Sequence, residues 1–389
     1  MVTALFARPF FFFLLLFSLS FAPAGADSGA LVRTRLQVPE KFRTGALKSE
    51  RHLFAPNGWN VSVFAGGLGG PRHMAMDEAG NIFVSITSDG TVVALPDRDR
   101  DGVADEALTF AEGLNKPHGL AFRGGDLIVA ETGRIVSLKD KDKDLKSDSK
   151  EIITEDIPTG GGHSTRSIAI SPSGDIFVSV GSSCNACVEK DKRRAAVLKV
   201  EGMKTVLYAT GLRNSVGIAM HPDTGDLWGA DNGTDYLGDD LPPEELNRIV
   251  EGNDYGWPYC YGEKVPDPNM GSPERCKDTI PAVLGMQAHS APLGIAFGKG
   301  LKSPRFKDSL FIAFHGSWNR SSPTGYKVVS VPFKDGRPSG KAIDIITGWL
   351  AKDGPWGRPV QPLVGKDGVL YISDDYAGAI YRVVAEEGE

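Results

Sequence analysis

The sequence predicts an all-β fold, a six-bladed β-propeller of four-stranded antiparallel blades. The first observation is a recurring phrase that pairs two short alternating strands across a turn containing Gly or Pro, which is typical of β-hairpins. It occurs six times, as HMAMDEAGNIFVS from His73, HGLAFRGGDLIVA from His118, SIAISPSGDIFVS from Ser167, VGIAMHPDTGDLWGA from Val216, LGIAFGKG…DSLFIA from Leu293 and QPLVGKDGVLYIS from Gln361. The second observation is spacing, because the first four copies follow one another at roughly 45–50 residues, which is the length of a propeller blade. Sustained helical periodicity is missing between the copies, which disfavours βαβ alternation and a Rossmann-type domain.

We expect one propeller domain over residues 40–386 of this 389-residue chain. The last two copies follow longer intervals, so the later blades carry insertions. The longer insertion runs from Asp231 to Ile280 and contains a pair of cysteines. Because loops carried on rigid blades usually hold the functional residues of a propeller, the insertions are the first place to look for a site.

The first 26 residues have the pattern of a signal peptide. A short basic start is followed by the apolar run Pro9 to Phe21 and then by small residues that end at Ala26. We expect cleavage after Ala26 and a periplasmic or secreted protein. A retained membrane anchor is the alternative, but a spanning helix needs about 20 apolar residues and this run is shorter.

The four cysteines form two local pairs, Cys184 with Cys187 and Cys260 with Cys276. An exported protein meets an oxidising compartment, so two short-loop disulfides are expected. A zinc half-site or a thioredoxin-like redox pair remains as the alternative for Cys184-Asn-Ala-Cys187, although the sequence has neither a second CxxC motif nor a βαβ context for it.

The charge balance excludes some classes of partner. The formal net charge is −6 and the sequence pI is about 5.7, so the chain offers no basic face for a run of phosphates. Nucleic acid is therefore not an expected partner. The sequence also lacks a GxGxxG motif that opens a helix and a CxxCH haem-attachment motif.

Two acidic loops are candidates for calcium. Asp97, Asp99, Asp101 and Asp105 alternate with other residues around Gly102, as in an EF-hand-type loop, although Leu108 stands where such a loop has a Glu. A second run from Asp140 to Asp148 has the same offsets, with Leu145 in place of the Gly, so the first loop is the better candidate. Both could equally be solvated turns, in which Asp and Lys are common.

Polar residues recur just before the first strand of several blades. His163 follows three glycines before the third copy, Arg213 and Asn214 precede the fourth, and equivalent positions elsewhere hold Arg72, His118 and Arg358. Corresponding positions of successive blades surround one axis, so these side chains should meet at one mouth of the channel. A cationic cluster in an acidic protein indicates an anionic ligand. If that ligand is planar, an aromatic ring could cover it, and the candidate rings are Trp257, Trp318 and Trp356. The alternative is that each Arg pairs with a local Asp and each Trp fills a blade interface.

Four longer phrases carry a resemblance to a known family. GLRNSVGIA, ADNGTDYLGDDLPPEELN, NDYGWPYCYG and FHGSWNRSSPTGYKV resemble the soluble sugar dehydrogenases that use pyrroloquinoline quinone, particularly their sorbosone-dehydrogenase-like branch. The similarity runs from about Gly58 to Val384 and implies the same propeller fold. It also implies oxidation of an aldose or a related, sorbosone-like sugar aldehyde at C1, with electrons leaving to a separate acceptor such as a cytochrome or a quinone.

The resemblance also implies roles for individual residues. His163 would be the general base that takes the proton of the anomeric hydroxyl while hydride moves to the quinone, and Arg213 would stabilise the charge that develops there. Asn214 would bind the cofactor, and backbone oxygens of Gly233 and Thr234 would hold its calcium ion. Further cofactor contacts are implied for Arg320, Arg358 and His118. The sequence departs from the glucose-oxidising members at two places, where Gly162 replaces an Asp and Trp356 replaces an Arg.

The sequence is also compatible with two other functions. One is a calcium-dependent lactonase or esterase on a six-bladed propeller, which needs side-chain carboxylates around a central ion, whereas the mouth predicted here is basic. The other is a non-catalytic binding propeller that has lost its cofactor.

Overall fold

The computed structural model describes residues 1–2 and 30–385. The expected signal peptide and its cleavage site after Ala26 therefore lie outside the described residues, as does residue 386 at the end of the expected domain. Within the described ranges, no helix is long and apolar enough to span a bilayer.

Six antiparallel sheets confirm the predicted propeller, and we number them as blades 1 to 6 in chain order. Blade 1 contains Pro71–Met76, Ile82–Ile86, Thr91–Leu95 and Leu108–Ala111. Blade 2 contains Leu120–Arg123, Asp126–Glu131, Arg134–Lys139 and Ser149–Thr154. Blade 3 contains Arg166–Ile170, Ile176–Val180, Ala196–Glu201 and Lys204–Thr210.

The second half of the ring is built in the same way. Blade 4 contains Ser215–Met220, Leu227–Asp231, Glu244–Ile249 and Leu284–Met286. Blade 5 contains Pro292–Phe297, Ser309–Phe314, Lys327–Lys334 and Ile343–Ile346, with the short Arg337–Pro338 strand extending its third strand. Blade 6 contains Pro359–Val364, Leu370–Asp374, Ala379–Ala385 and Trp59–Gly66.

The outer strand of blade 6 closes the ring. It comes from the beginning of the propeller, and it pairs antiparallel with the last strand from Trp59 opposite Ala385 to Gly66 opposite Ala379. The first strand of every blade contacts the first strand of the next, and that of blade 6 contacts that of blade 1. Backbone pairing thus joins the two ends of the domain and removes the open sheet edge that an unclosed ring would expose.

Packing between neighbouring blades forms the core. Between blades 1 and 2, for example, the Phe83 ring of blade 1 meets the Phe122 ring of blade 2 edge-on at 5.2 Å, and it also meets Phe110 of its own blade at 4.8 Å. Such aromatic pairs each contribute about 1 kcal/mol beyond the burial of their area. Near the channel, second-strand serines donate to a carbonyl of the next blade, as Ser85 does to His118 at 2.9 Å and Ser179 to Ser215 at 2.6 Å.

The up-and-down order of the strands sorts the loops onto two faces. Loops that join the second strand to the third, and segments that lead into the next blade's first strand, emerge together on what we call the upper face. Loops that join the first strand to the second, and the third to the fourth, emerge on the opposite, lower face. The polar residues predicted before the first strands therefore share the upper face, as expected.

Several smaller elements lie outside the six blades. A hairpin of Val32–Arg35 and His52–Ala55 precedes the ring, with 3-10 turns at Glu40–Phe42 and Gly45–Leu47 between its strands. The blade 4 insertion contains a hairpin of Cys260–Tyr261 with Val265–Pro266 and a single helical turn, Pro273–Cys276. Another small hairpin, Leu350–Ala351 with Gly354–Pro355, precedes blade 6.

Both expected disulfides are present. Cys184 is bonded to Cys187 and Cys260 to Cys276. The second bond fastens the helical turn of the blade 4 insertion to the hairpin beside it.

Candidate functional site

Upper-face loops of blades 3, 4 and 5 enclose a polar cavity of about 190 Å³. Its walls contain three of the residues predicted from the positions before first strands, together with side chains from the blade 4 and blade 5 insertions. The lining residues are His163, Arg213, Asn214, Asn232, Gly233, Asp235, Glu244, His289, Ala291, Trp318 and Asn319. A larger cavity of about 410 Å³ lies on the lower face around His221, but it contains none of the predicted site residues.

A buried carboxylate holds the turn that presents Arg213 and Asn214. Asp231 ends the second strand of blade 4 and accepts hydrogen bonds from the backbone N–H of Arg213 at 3.0 Å and of Asn214 at 2.9 Å. It also accepts the hydroxyl of Ser215 at 2.7 Å. Burial raises the pKa of Asp231 to about 6, and these donors oppose the rise. The carboxylate thereby fixes where both side chains leave the backbone.

The Arg213 guanidinium is buried and almost fully paired. Its Nη2 donates to the Oδ1 of Asn185 and to the Oδ2 of Asp235, both at 2.8 Å, and its Nε donates to the carbonyl of Asn185 at 2.9 Å. Only 6% of the side chain is exposed. A buried charge with this many partners is held in one position, which is the arrangement that a preorganised electrostatic site requires.

His163 faces the same cavity from blade 3. Its Nδ1 lies 3.0 Å from the carbonyl oxygen and 3.0 Å from the hydroxyl of Ser182. If Nδ1–H donates to that carbonyl, Nε2 is the unprotonated nitrogen, and the described residues offer it no hydrogen-bond partner. Burial, and then the charge of Arg213, lower the pKa of His163 to about 4. The imidazole is therefore neutral near neutral pH.

A glycine makes the close approach of His163 and Asn214 possible. A Cβ on Gly181 would lie 2.6 Å from the Cβ of His163 and 2.6 Å from the Oδ1 of Asn214. Real Cβ atoms do not approach other atoms that closely, so any larger residue here would push both side chains away from their places in the wall.

The segment that follows Asp231 brings several oxygen atoms to the cavity. Glu244 accepts the backbone N–H of Gly233 at 2.8 Å and of Ala291 at 3.1 Å, and its burial raises its pKa to about 8. Gly233 thus lies on the cavity wall, and Thr234 is buried directly after it. The two residues proposed to hold calcium through their backbone are next to the Asp235 carboxylate, so the donor set suits a hard cation.

Two predicted cofactor residues of blade 5 lie at the cavity rim or close to it. The Trp318 side chain lines the cavity, is 64% exposed, and meets the ring of Tyr236 edge-on at 5.5 Å. Arg320 is not part of the cavity lining. Its guanidinium donates to the carbonyl of Asp239 and to the carboxylate of Asp240, so it ties the blade 4 insertion to blade 5.

Two more predicted residues lie elsewhere on the channel. His118 is 1% exposed and packs against His73 at a ring distance of 5.7 Å, and burial lowers its pKa well below the usual value. Arg358 donates to the carbonyls of His315 and Gly316, at 3.1 and 2.8 Å. Both are near the channel, but neither lines the cavity that contains His163.

Trp356, the other predicted aromatic cofactor residue, lies outside the lining of this cavity. It is 6% exposed and belongs to the hydrophobic core under the N-terminal hairpin, where its ring is 6.4 Å from that of Trp349. Its indole N–H donates to the carbonyl of Gly348 at 2.7 Å. The ring is enclosed by core side chains and its single donor is used, so it packs the fold and does not cover a ligand in this cavity.

The acidic loops lie at the other end of the molecule. The Asp97 loop joins the third and fourth strands of blade 1 on the lower face, and carboxylate oxygens of Asp97, Asp99 and Asp101 lie within 4.8 Å of one another. Asp105 turns away and accepts the backbone N–H of Arg98 at 2.9 Å. The equivalent loop of blade 2 also gathers three carboxylates, those of Asp140, Asp142 and Asp148. The structure thus brings together three of the four predicted residues of the first loop, far from the cavity.

Sequence reasoning missed several cavity residues. Four of them form part of the wall: Asp235, Glu244, His289 and Asn319. The fifth, Asn185, contacts the wall residue Arg213. Asp235 and Glu244 stand inside the quoted phrase ADNGTDYLGDDLPPEELN, so that phrase was the available signal. Asn185 stands between the two cysteines of CNAC, and the sulfur chemistry that this motif predicts says nothing about the residue between them.

Comparisons with known proteins point in one direction. Residues 53–386 match the family described as TrAA12-like. An uncharacterized protein of Borreliella burgdorferi is 33% identical over 357 residues, which cover 86% of this chain and 91% of that protein. A pyrroloquinoline quinone-dependent pyranose dehydrogenase of Coprinopsis cinerea is 24% identical over 88% of this chain, which spans 56% of that longer protein. Among solved structures, the calcium structure of a Trichoderma reesei enzyme of carbohydrate-active family AA12 superimposes with a TM-score of 0.76 at 24% identity, over 85% of this chain and 96% of that one.

Proposed function

This chain belongs to the TrAA12-like family, and from that premise we propose that it is a pyrroloquinoline-quinone-dependent sugar dehydrogenase. It oxidises an aldose or a related, sorbosone-like sugar aldehyde at C1 with the help of calcium. One observation carries the proposal: a neutral histidine with a free Nε2 and a buried, fixed arginine line the same small polar cavity.

The residues present fit the cofactor. Pyrroloquinoline quinone is a planar anion, so it needs a cation, amide donors and a flat surface. Arg213 supplies the charge, Asn214 an amide, and the exposed ring of Trp318 a surface for a planar ligand. Next to Arg213 along the chain that follows Asp231, backbone oxygens of Gly233 and Thr234 together with Asp235 would hold calcium. When bound, the quinone supplies a two-electron acceptor for the C1 hydride of the sugar.

His163 acts as the general base in this proposal. Its unprotonated Nε2 takes the hydroxyl proton of the sugar, while Nδ1–H stays bonded to the carbonyl of Ser182 and so keeps the ring oriented. The imidazolium that forms lies beside Arg213, which disfavours it. That repulsion makes the proton easy to release to solvent at the end of the cycle.

Arg213 and Asn214 stabilise negative charge that develops on the cofactor side of the cavity. The guanidinium is already oriented by Asn185 and Asp235, so little reorganisation is needed when charge develops. The Asp231 carboxylate acts indirectly, because it accepts the backbone N–H groups of the turn that carries both residues.

Export and a separate electron acceptor complete the proposal. Two disulfides suit the periplasm or the exterior of the cell, in agreement with the signal peptide expected from the sequence. Reduced cofactor would pass its electrons to another molecule, a cytochrome or a quinone.

The first test is a titration of the purified apoprotein with pyrroloquinoline quinone, with and without calcium, followed by a panel of aldoses and an artificial electron acceptor. We expect saturable, calcium-dependent binding and then sugar-dependent reduction of the acceptor. A protein that binds no quinone at micromolar concentration with calcium present would refute the proposal. Hydrolysis of a lactone panel by the same preparation would instead support the lactonase class.

A further inference from the structure

The loop closed by the Cys184–Cys187 disulfide lies at the edge of the cavity. It follows the second strand of blade 3 and therefore emerges on the upper face, next to the turn that carries Arg213. The second disulfide lies within the blade 4 insertion. None of the four cysteines lines the cavity itself, so any effect of the first bond on the site passes through the residues that it encloses.

Asn185 inside this loop makes four hydrogen bonds to two residues of the cavity wall. Its carbonyl and its Oδ1 accept from the Nε and Nη2 of Arg213 at 2.9 and 2.8 Å. The same Oδ1 accepts the backbone N–H of Asp235 at 2.9 Å, and its Nδ2 donates to the carbonyl of Asp235 at 3.1 Å. One amide side chain therefore fixes both members of the Arg213–Asp235 ion pair.

The start of the same loop contacts the base. Ser182 places its carbonyl and its hydroxyl at 3.0 Å from the Nδ1 of His163, and that hydroxyl lies 2.6 Å from the carbonyl of Cys184. The backbone N–H of Ser182 donates to the carbonyl of Arg213 at 2.8 Å. Four successive residues thus link His163, Arg213 and Asp235.

A short covalent ring suits this task. Cys184 and Cys187 bracket Asn185 and Ala186, so the backbone carbonyl and the side chain of Asn185 can turn toward the same guanidinium only while the loop keeps its shape. The Glu189 carboxylate anchors the loop from behind by accepting the backbone N–H of Ser183 and, at 2.7 Å, its hydroxyl. These contacts use neither the cofactor nor the substrate.

We propose that Asn185 is a positioning residue of this site and that the Cys184–Cys187 ring holds it in place. It orients the Arg213 guanidinium toward an anionic ligand and sets the position of Asp235. The inference rests on the proposed function, because its value to the protein lies in binding the quinone. Without the amide oxygen, Nη2 keeps only the Asp235 carboxylate and the Asp235 N–H loses its acceptor, so the ion pair can shift.

The test uses the full-length protein and two variants of one residue. Asn185→Ala removes the amide, and Asn185→Asp keeps an acceptor for Arg213 but removes the donor to Asp235 and adds a negative charge. The control is Asn269→Ala, an exposed asparagine inside the loop closed by the other disulfide. Quinone binding to the apoprotein is measured by quenching of tryptophan fluorescence, and amide exchange over residues 231–237 by mass spectrometry.

We expect both Asn185 variants to bind the quinone about tenfold more weakly, since a buried polar group left without its partner costs about one factor of ten. In Asn185→Ala the Asp235 N–H loses its acceptor, whereas in Asn185→Asp the Asp235 carbonyl loses its donor and the added negative charge opposes an anionic ligand. Exchange of the Asp235 amide should be faster in Asn185→Ala, with or without quinone. A Cys184→Ser/Cys187→Ser variant, in which Asn185 is present but unconstrained, should shift in the same direction, and the Asn269→Ala control should not shift.

The outcomes separate this inference from the proposed function. If the unmodified protein binds the quinone and both Asn185 variants bind it equally well, the positioning role is refuted and the proposed function stands. If the variants lose only thermal stability while their quinone affinity and Asp235 exchange stay unchanged, Asn185 is a folding residue and the inference is wrong. If the unmodified protein binds no quinone, the proposed function fails and this role fails with it.

Discussion

Replacing His163 by alanine tests the base directly. General bases contribute about 10²–10⁴-fold to a rate, and the remaining residues of the cavity keep their contacts because His163 holds them only through Ser182. We therefore expect kcat to fall by about a hundredfold or more. The quinone affinity should stay close to that of the unmodified protein, since the charge that attracts the anion belongs to Arg213.

The pH dependence gives the second half of this prediction. Burial and Arg213 lower the pKa of His163 from 6.5 to about 4, so the base is already neutral at pH 7. Protonation removes the acceptor, so kcat/KM should fall as the pH falls through the lowered pKa, and this acid limb should lie well below 6.5. The His163→Ala variant should have lost that limb, because the group that titrates is gone.

The assay is steady-state oxidation of an aldose by quinone-saturated protein with an artificial acceptor, from about pH 3, one unit below the lowered pKa, to pH 8. His52→Ala serves as the matched control, because His52 lies in the N-terminal hairpin and bonds to Arg33. A His163→Ala variant that keeps its turnover per bound quinone but binds the quinone poorly would refute the role of base. So would an acid limb that persists unchanged in the variant.

Three further predictions follow from individual contacts. Gly181→Ala should lower kcat/KM by about a hundredfold, because displacements near 1 Å have that effect on catalytic groups. The control Gly285→Ala should keep its kcat/KM, since a Cβ there meets only ordinary contacts. Equal kcat/KM values in the two variants would contradict the close approach at Gly181. Burial lowers the pKa of His73 to about 3, so as the pH falls below 6.5 the unfolded chain takes up a proton before the native protein does, and the free energy of unfolding decreases. Relative to His73→Gln, the unmodified protein should lose about 3 kcal/mol of this free energy by pH 4 in urea unfolding. A difference between the two proteins that does not change with pH would refute this. Asp99→Asn/Asp101→Asn should leave calcium-dependent quinone binding unchanged because these carboxylates lie on the lower face, while a loss of that binding would show that the loop contributes to the site.

The number and order of the blades could be predicted from the sequence because each blade repeats its first two strands locally. The third and fourth strands are less regular and were inferred from spacing alone. The closing strand Trp59–Gly66 could not be assigned to blade 6 in this way, since its partner Ala379–Ala385 is more than 300 residues away. Nothing local in an alternating strand identifies so distant a partner.

The sequence predicts those features of the site that result from the circular arrangement of the blades. Positions before successive first strands must share the upper face, and the structure places His163, Arg213 and Asn214 around one cavity. What holds these residues depends instead on contacts between loops of different blades, such as that of Asn185 with Arg213. Trp356 instead packs in the core under the N-terminal hairpin, a segment that the repeats do not include, so the repeats could not show this burial.

One arrangement recurs in every second blade and connects the fold to the site. An acidic residue ends the second strand and accepts a backbone N–H of the segment that enters the same blade: Glu131 from Asn115 in blade 2, Asp231 from Arg213 in blade 4 and Asp374 from Arg358 in blade 6. These carboxylates are 0–5% exposed. Because each acid accepts from a backbone N–H, the residue that carries this N–H can differ from blade to blade while its backbone stays in place. The propeller can thus hold an arginine where the proposed chemistry needs charge and an asparagine where it does not, without any change to the frame.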